Sequence, residues 1–145
     1  MGEVEIIGKI DKAIILAISP LRERTDIIYT QKFFLKNYCR NNGFTILEIF
    51  AFFKNPDFID ATEFKKVTKL IYNQKETIAV IIHNVKDIMG YAYILNYLVQ
   101  KGKIELHVYT QKYLISKNSN PEDCWNTLVA IDESFISKLW CYFNL

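Results

Sequence analysis

Two unbroken apolar runs constrain this chain more than any other feature: "AIILAIS" at 13–19 and "TIAVIIH" at 77–83. A strand with one wet face alternates apolar and polar residues. A run that is apolar at every position has both faces covered. Two such strands need helices above and below them, and that demand selects an α/β layering over a bundle or a sandwich.

The intervening segments supply the helices. After the first run, Thr25 suits an N-cap, and Ile28, Gln31, Leu35 and Tyr38 fall at helical spacing beside Ile27, Phe34 and Cys39. Gly43 suits a left-handed stop. "FTILEIFAFF" (44–53) reads as a second strand. Asp60 with Glu63 then resembles a capping box for a helix to about Gln74. The run at 77–83 is the third and central strand. "NVKDIMG" leads into a helix of Tyr91, Ile94, Leu95 and Leu98, closed by Gly102. "IELHVYT" (104–110) alternates, as a strand nearer the sheet edge would. Residues 111–119 read as a polar connection, and Asn120-Pro121 opens a last helix expected to run over 121–145.

The expected fold is therefore α/β, a mostly parallel sheet of four or five strands with helices on both faces and a long C-terminal helix. Residues 1–12 alternate weakly and read as either a frayed lead or an edge strand. At 145 residues and 50% hydrophobic, the chain is expected to form a single domain, 1–145, with a core that needs no staples. No repeat or linker divides it.

Composition narrows the function. A net charge of +2 gives no general case for nucleic-acid binding, and the only arginines are Arg22, Arg24 and Arg40. Cys39, Cys124 and Cys141 are widely spaced and suit buried thiols in a reducing cytoplasm. No Cys/His cluster suggests a metal, and the five glycines form no phosphate-cradling loop, so no cofactor is expected. No apolar run reaches the ~18 residues of a membrane span, and no signal peptide is evident. A cytoplasmic location is the expectation.

Sites in open α/β sheets lie beyond the C-terminal strand ends. Ser19 ends the first strand and His83 the third. His83 reads as a hydrogen-bonded strand-end residue, and His107, within the alternation of the fourth strand, as structural. Asp57 and Asp60 could bind a cation, but two loop carboxylates without glycine spacing are a weak signal. Glu63, Lys65, Lys66 and Lys69 read as a solvated helix face.

One constellation is more specific. Ile18-Ser19 is followed by Gln31, Leu35, Tyr38 and Cys39, then by "NNGFTILEIF", "ATEFKKVTKLI" and "AVIIHNVKDIMGYAYILNYLVQKGKIELHVYT", and finally by "NPEDCWNTLVAIDESF". In order and register, over roughly residues 13–140, this resembles the N-terminal catalytic domain of the serine site-specific recombinases, the resolvase and invertase family. The resemblance implies the family's fold, a serine nucleophile at Ser19, and a final helix that makes a dimer contact. Those enzymes attack a DNA phosphodiester with the serine hydroxyl. The transition state concentrates negative charge, and arginines must be aimed at it.

The arginines are what this chain lacks. The family's arginine two residues before the serine falls on Ala17, and the one opening the helix after strand two falls on Ala61. Its Asp-Arg pair after strand three falls on Lys86-Asp87, and its second arginine there on Gly90. Losing one transition-state donor costs on the order of 10²–10³ in rate. Losing the set should take the reaction to background. Arg22 and Arg24 are the substitute phosphate-binding candidates, although both also read as solvated charges beside Glu23 and Asp26. The final segment, 121–145, carries Glu122, Asp123, Asp132 and Glu133 against Lys138 alone, one positive against four negative, a net −3 that repels phosphates. Its aromatics Trp125, Phe135, Trp140 and Phe143 are the candidate dimerisation residues. With the chain ending at Leu145, no separate DNA-binding domain is expected.

The leading expectation is a resolvase-like domain without catalysis, acting as a homodimer or through a protein partner in DNA recombination. One alternative is an active recombinase or nickase using Ser19. The other is an unrelated flavodoxin-like small-molecule or signalling domain.

Overall fold

In the computed structural model, described here for residues 10–19, 24–53, 61–84, 87–88, 92–110 and 113–116, the two apolar runs lie side by side. Strand β1 spans Lys12–Ser19 and β3 spans Ile78–Ile82. They pair in parallel, from Ala13 opposite Ala79 to Leu16 opposite Ile82. β2 (Thr45–Phe53) runs parallel on the other side of β1 and forms the sheet edge. β4 (Ile104–Val108) runs parallel to β3, and β5 (Tyr113–Ile115) closes the far edge antiparallel to β4. The order β2-β1-β3-β4-β5 reverses between β1 and β3.

Among the described residues, three helices connect these strands: α1 (Thr25–Asn41), α2 (Ala61–Asn73) and α3 (Ala92–Gln100). Strand alternation sends Ile14, Leu16, Ile18, Val80 and Ile82 to one face. There they meet Phe64, Val67 and Ile71 of α2 and Ile94, Leu95, Leu98 and Val99 of α3. The opposite face carries Ala13, Ile15, Ala79 and Ile81 against Leu35 and Cys39 of α1. Both faces of β1 and β3 are buried, as their unbroken apolar character requires.

Both predicted glycine stops are present. At the end of α1, Gly43 has φ +73°, its N–H donates to Arg40 O, and Phe44 N–H donates to Cys39 O. Gly102 (φ +72°) repeats the pattern after α3, donating to Val99 O while Lys103 N–H donates to Leu98 O. These paired bonds are the Schellman closure, which needs a left-handed residue that only glycine adopts cheaply.

Two expectations need correction. Thr25 is the first helical residue and not the N-cap; the cap position is Arg24, which makes no side-chain cap bond. Part of the 111–119 segment, expected to be a polar connection, is strand β5. Residues 1–9, the N-cap candidate Asp60 and the expected helix at 121–145 lie outside the described residues.

Candidate functional site

The strand order reverses between β1 and β3, which makes the C-terminal end of β1 the first place to look for a site. Pairing of β1 with β2 continues to Ser19 opposite Phe53, but pairing with β3 stops at Leu16 opposite Ile82. Beyond that point Ile18 needs another hydrogen-bonding partner. Gln31, on the buried side of α1, provides it: Ile18 N–H donates to Gln31 Oε1 at 2.8 Å, and Gln31 Nε2 donates to Ile18 O at 2.7 Å. Gln31 is 4% exposed, so this amide clamp replaces water as well as strand.

Ser19 follows the clamp and is 0% exposed. Ala17, two residues earlier and on the same face by alternation, is also fully buried. Arg24 is exposed and engaged elsewhere, its Nε and Nη2 holding the two Asp26 carboxylate oxygens at 2.9 and 2.8 Å. That fork raises the Arg24 pKa and lowers that of Asp26, the hydrogen bond being the larger cause in each. Asp87 lies in a short turn after β3, its backbone N–H donating to Asn84 O. Ala61 begins α2. Arg22, Lys86, Gly90, Trp125, Phe135, Trp140 and Phe143 lie outside the described residues.

A second cluster occupies the α1 side of the sheet over β4 and β5. Glu105 and His107 alternate onto that face, and Tyr38 reaches them from the last turns of α1. Tyr38 Oη lies 2.6 Å from His107 Nδ1, and His107 Nε2 lies 2.9 Å from Glu105 Oε1. The imidazole is thereby held at both ring nitrogens, between the phenol and the carboxylate. Burial is the main cause that raises the Tyr38 pKa, so this phenol is held in its protonated form. Rings enclose the cluster. Phe44 meets His107 edge-on at 5.3 Å, and Tyr109 lies between Phe34 and His83 at 5.8 and 5.9 Å. Burial lowers the His83 pKa. Beside the cluster lies a groove of about 670 Å³ lined by Tyr38, Asn42, His107, Tyr109, Thr110 and Leu114.

The sequence expectation for His107 is a structural role, and no local pattern links it to Tyr38, 69 residues away. The signal available was weak: two polar residues, Glu105 and His107, two apart on a strand whose alternate positions are apolar. Gln31 is legible by its helical spacing, and its bond to Ile18 is not.

Cys39 is buried under α1, where desolvation pushes its pKa to about 11, so it is an inert thiol. Among the described residues, no group of three or more His, Cys, Asp or Glu side chains could hold a metal ion. No described helix is long and apolar enough to cross a membrane.

No family model matches the sequence, and no curated protein matches it. Solved structures do. The N-terminal catalytic domain of TP901-1 integrase aligns with TM-score 0.59 and 16% identity, over 89% of this chain and 98% of that one. A resolvase family site-specific recombinase from Streptococcus pneumoniae aligns with TM-score 0.56 and 13% identity, over 90% and 91%. The C-terminal catalytic domain of ISC1926 TnpA, an IS607-like serine recombinase, aligns with TM-score 0.53 and 17% identity, over 88% and 84%. At these identities the likeness speaks for the backbone: this chain has the resolvase-like fold of serine recombinase catalytic domains.

Proposed function

We propose that this chain is a resolvase-like domain that no longer cleaves DNA and acts by association, with itself or with another protein, in DNA recombination. The observation that carries this reading is the burial of Ser19 at 0% exposure, on the strand face that also buries Ala17. A nucleophile for a phosphodiester must meet a large, charged, hydrated substrate. The reaction also needs fixed cations where the charge develops. Here the serine is enclosed, the family's arginine position on the same strand is alanine, and the Arg24 fork is filled by Asp26.

Association has its own support. Tyr29 and Phe33 stand one helical turn apart on α1 and are 71% and 63% exposed, with Phe34 beside them. Exposed aromatic groups of this kind are enriched in protein interfaces. The sequence adds Trp125, Phe135, Trp140 and Phe143 as further association residues.

Incubation with supercoiled plasmid tests the catalytic half. The reading predicts no nicking above that of a Ser19→Ala variant; nicking that this substitution abolishes would refute it. Sedimentation velocity tests the other half. A self-associating species weakened by Phe33→Ser or Trp125→Ala supports association. A strict monomer that also captures no recombination protein contradicts it.

A further inference from the structure

The end of the molecule away from Ser19 is built from two turns. One leads from α2 into β3, the other from α3 into β4. They are joined: Ile78 N–H donates to Lys103 O at 3.3 Å, and Thr77 Oγ1 donates to Gly102 O at 2.7 Å. Ala79, just after the first turn, pairs with Ala13, six residues before Ser19. At about 3.3 Å per residue that is roughly 20 Å along the strand, so this end is remote from the serine.

Two tyrosines brace the turns. Tyr72, in the last turn of α2, hydrogen-bonds Tyr97 of α3, and the two are 50% and 38% exposed. Lys103 Nζ lies 5.7 Å from the centre of the Tyr72 ring, and Lys101 Nζ lies 5.6 Å from that of Tyr97. Such a contact holds an exposed ammonium group by about 0.5–1 kcal/mol and leaves its charge unneutralised. Lys69, one turn before Tyr72, and Lys75 are exposed as well. Over 69–76 and 101–103 these four lysines face Glu76 alone, four positive against one negative, +3. Among the described residues, none of the four is ion-paired with a carboxylate. The C-terminal ends of α2 and α3 contribute about half a negative charge each, which offsets about a third of that excess.

This surface suits one kind of partner. Its ring faces carry ammonium groups, so it offers charge and phenol hydroxyls in place of an apolar anchor. A protein partner gains its affinity from anchors seated in pockets. A phosphate backbone needs only spaced cations and hydroxyl donors, and lysine meets phosphate as a point charge. We propose that these turns form a sequence-independent contact for the phosphate backbone of duplex DNA. Lys69, Lys75, Lys101 and Lys103 are the contact residues, and Tyr97 and Tyr72 position Lys101 and Lys103. The choice of DNA rests on the proposed role in recombination. Nicking plays no part in the readout below, so the two readings fail separately.

Fluorescence anisotropy of the whole chain with a labelled duplex of about 20 base pairs, over about 25–200 mM KCl, tests this. Four neutralised phosphates predict that log K falls against log salt with a slope of about −3.6. Lys101→Gln with Lys103→Gln should reduce the slope by about 1.8, and Lys69→Gln with Lys75→Gln by as much, the second pair serving if the first fails to fold. Lys32→Gln with Lys36→Gln, on α1, should leave it unchanged. Tyr97→Leu keeps every charge but frees Lys101, so binding should weaken about two- to fivefold at an unchanged slope. Absence of binding at about 25 mM salt, or an unchanged slope in either folded patch variant, would overturn the proposal. A glutamate decamer that displaces the duplex at equal charge concentration would overturn it in favour of an acidic protein partner.

Discussion

At Ile18 the sheet runs out of its β3 partner, and the Gln31 amide supplies both of the bonds the strand would have made. Removing it strands a buried donor and a buried acceptor. Each unsatisfied group costs about 1–3 kcal/mol, so Gln31→Leu should destabilise by about 2–6 kcal/mol in urea unfolding. Gln31→Glu separates the two bonds. Its carboxylate still accepts from Ile18 N–H but cannot donate to Ile18 O, so stability should partly recover on acidification, when the protonated acid donates again. Ala17→Arg, which restores the arginine of the resembled family, would bury a charge on a fully enclosed strand position. A loss of about 3–5 kcal/mol is expected, and a folded variant with unchanged urea midpoint would contradict the burial assigned to this position. Cys39 carries a pH signature. Its thiol sits at about 11 when folded and returns to 9.0 when unfolded. Above pH 9 the unfolded chain loses the proton first, so stability should fall as pH rises from 9 toward 11, and Cys39→Ala should flatten that slope.

The helix ends show why some elements are legible from sequence. Gly43 and Gly102 announce a left-handed residue by identity alone, and both end a helix where expected. A Cβ at Gly43 would meet nothing within 4 Å, so Gly43→Ala isolates the backbone strain of φ +73°. About 1–2 kcal/mol is expected from thermal or urea unfolding. β1 and β3 were equally readable, because a covered strand is apolar at every position. β5 was not. Three residues between polar neighbours are too short to show a period, and it forms because β4 offers it an edge. The N-cap was misplaced by one residue: Thr25 has the right chemistry, but the helix begins with it and leaves Arg24 at the cap. The Tyr38–His107–Glu105 cluster was hidden for a topological reason. It joins the end of the first helix to the fourth strand, and no local pattern reports a contact across 69 residues. Resemblance to a family pointed to Ser19 and could not reveal that the fold buries it.

Across the whole molecule the two sheet faces differ. One is covered by α2 and α3 through a broad aliphatic layer, the other by α1 over alanines and isoleucines. α1 is therefore the element through which several features meet. Its inner side carries Gln31, Leu35 and Cys39, its last turns carry Tyr38, and its outer side carries Tyr29 and Phe33. Leu35→Ala should cost about 2–5 kcal/mol, because α1 alone covers that face among the described residues. Phe33→Ser should change stability by less than about 0.5 kcal/mol and act on association instead, a contrast that unfolding and sedimentation on the same samples resolve. In the proposed function, the resolvase-like backbone encloses a serine that does not react with DNA. Peptide mass mapping after incubation with nicked and supercoiled DNA tests this most directly. The peptide containing Ser19 is predicted to carry no nucleotide; a phosphodiester-linked nucleotide on Ser19, absent from Ser19→Ala, would contradict it.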